Sequence, residues 1–139
     1  MAIKTKTITR KTTADTDILD VTGEVASFVE SSSVRQGHVV VFVPGSTAAV
    51  TTIEFESGVV ADLKGAIDRM APADIPYEHN ARWGDGNGYS HVRAALMGPS
   101  LYVPIVDGRP SLGTWQQVVL CDFDNRPRTR RVVLQVVGE

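Results

Sequence analysis

The stretch YEHNARWGDGNGYSHVRAAL, Tyr77 to Leu96, carries two of the chain's three histidines, His79 and His91, twelve positions apart. A neutral imidazole binds Zn, Ni, Fe or Cu, and it is the usual general base near neutral pH. On a single helix, a metal-binding pair would sit one turn apart. Here three glycines and a polar run intervene, so the two rings can meet only through the fold. Glu78 or Asp85 could offer a carboxylate to a ring N–H or to a metal. The plainer reading has His91 capping or packing on a helix and His79 on a surface loop.

The same stretch could hold an anion. DGNGYSH sets glycines and Ser90 just before an expected helix, whose first N–H groups attract phosphate or carboxylate. Arg82 and Arg93 flank it and could fork onto a phosphate. There is no GK[ST] ending, so this is not a Walker A loop. The alternative is a capped helix start, with Asn87 or Ser90 as the cap.

Other residues invite the same question. RPRTRR contains Arg126, Arg128, Arg130 and Arg131. On a strand, Arg128 and Arg130 would face one way and Arg131 the other, as phosphate contacts or as a solvated or inter-subunit edge. In PGSTAAV, Ser46 is not in a G-x-S-x-G elbow, and a strand-to-strand turn is expected. Glu54, further along, points either to solvent or into a pocket. Trp115 and Gln116, in GTWQQ, could wall a ligand pocket or pack between subunits. Cys121 stands alone in an apolar run and reads as a small buried hydrophobe; one cysteine excludes an intramolecular disulfide and a cysteine-rich zinc site.

These residues need a scaffold. The 139 residues suit one domain spanning 1–139, with no linker, repeat or low-complexity tract. Hydrophobic residues make up 42% and charged residues 22%, and the net charge is -2. That balance offers no whole-domain grip on nucleic acid or on an anionic membrane. No signal peptide or apolar membrane span is evident, and the cytoplasm is the expected compartment.

Strands are expected at Ile3–Thr12, Ile18–Val21, Gly37–Pro44, Thr47–Glu56, Leu101–Val106, Gly113–Asp124 and Thr129–Gly138. The β-branched run in Gly37–Pro44 reads as a central strand buried on both faces. Helices are expected at Gly23–Glu30 with Thr22 as cap, at Val59–Met70, and at Ser90–Met97. About three helices that do not alternate with strands predict an α+β fold with mixed or antiparallel sheets.

Taken together, STAAVTTIE, YEHNARWGDGNGYSHVRAALMGPSLYVPIVDGR, LGTWQQVVL, RPRTRR and the final QVVGE resemble the YjbQ-like family, also called secondary thiamine-phosphate synthases. The resemblance spans nearly the whole chain. It implies a compact α+β domain, a homotrimer, and a pocket near a subunit boundary lined by His79 and His91. It matches Asn87, Glu54, Trp115 and Gln116 to the same pocket, which would hold a divalent metal (Zn or Mg) or a small phosphorylated metabolite. The implied reaction joins a pyrimidine pyrophosphate to a thiazole phosphate; the alternative is a metal- or phosphometabolite-binding protein without that chemistry. Many relatives carry a histidine and then threonine after the strand, and NE at the end of the next. Here Gly45 and Ile53-Glu54 stand in those places.

Overall fold

Every strand pairing in the computed structural model, which describes residues 1–139, is antiparallel. The elements run β1 (Ala2–Thr12), β2 (Asp17–Asp20), α1 (Thr22–Ser32), β3 (Gln36–Phe42), β4 (Ala48–Ile53), α2 (Ser57–Met70), α3 (Glu78–Trp83), α4 (Gly88–Met97), β5 (Ser100–Val106), β6 (Arg109–Pro110), β7 (Gln117–Asp122) and β8 (Arg128–Gly138). They form a single α+β domain with a five-stranded sheet, β1-β8-β3-β5-β6, and a three-stranded sheet, β2-β7-β4. No helix is long and apolar enough to cross a membrane.

The main core lies between the two sheets. Val39 and Val41 of β3, Val103 and Ile105 of β5, and Val132, Leu134 and Val136 of β8 meet Val50 of β4 and Val118 and Leu120 of β7. Helix α1 adds Val25, Phe28 and Val29, the face its spacing predicts. A second core covers the other side of the small sheet. There Ala49, Val119 and Cys121 pack against Ile67 of α2 and Ala94 of α4.

The doubly buried strand is therefore β7, not β3. Residues of β7 alternate between two cores, so an unbroken apolar run is required of it. In β3 only alternate residues are buried, and Val40 and Phe42 turn to the open face of the large sheet. Tyr102, Pro104 and Val106 of β5 share that uncovered face.

Other expectations shift for local reasons. Thr22 does not cap α1: its hydroxyl donates to Asp20 (2.6 Å) and accepts from Val118 N–H (2.9 Å), tying the helix start to β7. Helix α2 starts two residues early because the Glu56 carboxylate accepts from Gly58 and Val59 N–H. Those bonds hold Glu56 below its ordinary carboxylate range. Strand β7 begins only at Gln117, leaving Trp115 in the preceding turn. There are four helices, because Glu78–Trp83 is one turn and a half of helix rather than loop.

Cys121 is completely buried, and burial pushes its thiol up to about 12. A thiol reagent should leave the native protein unlabelled and label it fully in denaturant. Native-state labelling at the rate of a free thiol would contradict this placement.

Candidate functional site

The two histidines do meet. His79 sits in α3 and His91 in the first half of α4, and their ring centroids lie 4.5 Å apart with planes tilted by 40°. The turn between these helices makes this possible. Gly84 ends α3 in the left-handed region at φ 73°, its N–H donating to the Asn80 carbonyl. The Asn80 side chain then accepts from Gly88 N–H at 2.8 Å, joining the end of one helix to the start of the next. A Cβ at Gly88 would lie 2.7 Å from Tyr77 Cβ, so the close approach requires glycine there.

Asp85 comes within 3.4 Å of His79 Nδ1, inside ion-pair reach but without hydrogen-bond alignment. Nδ1 is therefore buried without a bonded partner, as are Asn87 Oδ1 and Ser90 Oγ. Buried polar atoms are normally satisfied by protein or water, and three without a protein partner set this short segment apart. A cleft of about 620 Å³ between α1 and the Asp107–Pro110 hairpin contains neither histidine. The histidine pair, not this cleft, is the candidate site that the sequence motif marks.

Asn87 holds the N-cap position of α4, but its side chain does not cap. Its backbone carbonyl receives Ser90 N–H, while its Nδ2 donates to Asp124 Oδ1 at 3.3 Å. Asp124 belongs to a buried network absent from the sequence reading. The Arg130 guanidinium grips Asp122 through Nε (2.7 Å) and Nη2 (2.8 Å) and also donates to Thr47 (2.6 Å). Arg128 Nε donates to Asp124 Oδ2 at 2.7 Å, and Thr12 donates to Asp122 at 2.6 Å. Arg128 and Arg130 thus turn inward, while Arg131 points outward and is exposed. The signal for this was present: two aspartates flank Phe123 in an apolar run, and two arginines follow at alternating strand positions.

Several expected site residues lie apart from the ring pair. Arg93 is buried, donating to Ala71 carbonyl, Thr16 and Asp68 at 3.0 Å each, and its guanidinium lies 4.8 Å over the Tyr89 ring. It locks α4 against α2 and has no free edge for a phosphate. Glu54 lies just beyond β4, exposed. Trp115 is 73% exposed, and Gln116 is tied to Thr52 and Gly113. No hydrogen bond, ion pair or ring contact joins these three to the histidines. Arg82 ends α3, exposed and without a carboxylate partner. Zn or Mg would need more than two imidazoles, and nowhere do three His, Cys, Asp or Glu side chains gather to hold one.

The family profile described as UPF0047 protein YjbQ-like matches residues 6–139. The UPF0047 protein of Methanothermobacter thermautotrophicus is 36% identical over 139 residues, covering 100% of this chain and 95% of its own. The YugU protein of Bacillus subtilis is 33% identical over 134 residues, covering 96% and 98%. A crystal structure of a hypothetical protein from Aeropyrum pernix K1 superposes with a TM-score of 0.91 at 35% identity, covering 98% and 99%. The chain belongs to the YjbQ-like family.

Within this YjbQ-like fold, the residue at position 45 is constrained by the backbone. Gly45 has φ 117°, a conformation that L side chains rarely adopt, so the turn after β3 is shaped for glycine. The neighbouring ion cluster sets the acid limit of the fold. Burial alone would raise Asp122, but hydrogen bonds from Arg130, Thr12 and Asp124 N–H outweigh it and hold the carboxyl below its ordinary value. Asp124 is likewise lowered: burial opposes, and bonds from Arg128, Asn125 N–H and Asn87 win. A carboxyl whose folded pKa is depressed contributes stability above its unfolded value, and that contribution is lost as pH falls through the folded one. Denaturant unfolding should therefore show stability falling below about pH 4, where unfolded aspartates begin to protonate. Asp122→Asn should cost about 3–5 kcal/mol at neutral pH by orphaning Arg130. The same variant should also flatten the acid slope; an unchanged slope would remove Asp122 from this account.

Proposed function

We infer that this chain handles a small phosphorylated metabolite at the His79–His91 site, in a reaction of the thiamine-phosphate synthase type. The observation that carries this is the ring contact at 4.5 Å, built by a glycine turn and surrounded by orphaned polar atoms. Two imidazoles in contact do not both hold positive charge cheaply, and an anion beside them offsets that cost. One ring can also pass a proton to a leaving oxyanion while the other stays neutral.

In the reaction that the family resemblance implies, the thiazole ring nitrogen forms a bond to the pyrimidine methylene carbon. The bond from that carbon to the pyrophosphate oxygen breaks, and pyrophosphate departs with the electron pair. His79 or His91 would protonate or hydrogen-bond the departing group, Arg82 would lend charge from the end of α3, and Asn87 would fix the start of α4. The two imidazoles do not by themselves complete a metal cage, and no step is derived through a metal. Trp115, exposed beside β7, would stack on a heteroaromatic ring only if a neighbouring copy or a ligand brought the two together.

The same reading includes self-association into a trimer. The uncovered face of the large sheet supports it, since Phe42, Tyr102 and Val106 lie there exposed. Sedimentation should show a trimer, and Tyr102→Asp should shift it toward monomer. A monomeric wild-type chain would overturn the trimer.

Incubating the purified protein with the two precursors should yield thiamine phosphate and pyrophosphate. His91→Ala should lower the turnover by about a hundredfold, the range of a lost general acid. If neither precursor is consumed, the synthase reading fails. Saturable binding of both precursors without turnover would instead favour a phosphometabolite-binding role, which the glycine at position 45 already makes reasonable.

A further inference from the structure

Arg130 presents one unused edge. Its Nε and Nη2 are spent on Asp122 and Thr47, yet Nη1 donates to no protein group although the side chain is only 10% exposed. That edge faces Gly45: a Cβ built there would lie 3.3 Å from Nη1. Because position 45 has no side chain, Nη1 is left open beside the turn. The turn itself has donors to spare. The N–H groups of Gly45, Ser46 and Thr47 make no bond to any backbone carbonyl, and of its backbone groups Thr47 uses only the carbonyl, which accepts Phe123 N–H.

This corner is coupled to the histidines through one carboxylate. Thr47 Oγ1 donates to Asp124 Oδ2 (3.3 Å) and Asn87 Nδ2 to Asp124 Oδ1 (3.3 Å). Asn87 in turn accepts His91 N–H at its backbone carbonyl. The Gly45 turn and the start of α4, which carries His91, are thus joined in one hydrogen-bonded unit.

We propose that the Gly45–Thr47 turn and the Nη1 edge of Arg130 form a phosphoryl-binding subsite adjoining the histidine pair. A phosphoryl group fits because its terminal oxygens can accept from a guanidinium edge and from several backbone N–H groups at once. The Asp122 and Asp124 carboxylates do not compete for it, since their oxygens are already occupied by Arg130, Arg128, Thr12, Thr47 and Asn87. This rests on the reading that the site takes a phosphorylated metabolite, and it moves the phosphate from Arg82 and Arg93 to Arg130.

Inorganic phosphate titrated into the full-length protein tests it, followed by ¹H–¹⁵N spectra of the backbone and the arginine side chains. Saturable shifts are expected at Gly45, Ser46, Thr47 and the Arg130 side chain, with acetate much weaker. In Gly45→Asp the new carboxylate occupies Nη1, and phosphate affinity should fall by about tenfold or more, the loss of a charge-assisted contact. The wild-type shift map does not depend on that variant folding. Shifts confined to His79, His91 and Arg82 would overturn the subsite while leaving the histidine site intact, and absence of saturable shifts would overturn it outright. A synthase assay that fails while Gly45 and Arg130 still respond to phosphate would refute the reaction and keep the subsite.

Discussion

Asp122, Asp124 and Arg130 have almost no access to water, and the fold is organised around keeping them paired. Removing such charges from solvent costs several kcal/mol each, repaid only when geometry is good and every oxygen is used. Here the partners come from far apart in the sequence: Thr12 ends β1, Thr47 precedes β4, Asn87 starts α4, and Arg128 and Arg130 open β8. The cluster therefore fixes where the two sheets, the turn after β3 and the histidine-bearing helices stand relative to one another. A well-packed apolar replacement could be equally stable, but it would not set these positions so specifically.

Much of the fold is legible because burial alternates where it must. The threonine-rich alternation of β1 and the helical spacing in α2 follow directly from one-sided burial. The central strand misleads for the same reason. A β-branched run looks identical whether both faces are covered or one faces outward, and only the sheet order tells β3 from β7. The short α3 is hidden by composition: Glu78–Trp83 has no apolar stripe, buries no residue, and is held by Gly84 and Asn80 instead.

The candidate site divides along similar lines. Residue type singled out His79 and His91, and the fold brings their rings into contact across a glycine turn. Residue type misjudged the arginines. Arg93 looked available beside a polar loop but is spent on Ala71, Thr16 and Asp68. Arg128 and Arg130 looked like a solvated edge, yet their alternate spacing aims them at aspartates four and eight residues back, at the end of β7 and just beyond it. The D-x-D and R-x-R spacing marks the pair, but only the turn between them brings the carboxylates and guanidinium groups together.

The pairing also constrains what the site can recognise. Two aspartates against two arginines leave the cluster with no net charge, so it exerts little pull on an anion at distance. At the proposed subsite, attraction would be short-ranged and directional, from the Nη1 edge and the turn N–H groups. On the opposite side, Asp124 holds Asn87 Nδ2 and so turns Oδ1 away as an unpaired acceptor, near Ser90 Oγ in the same helical turn.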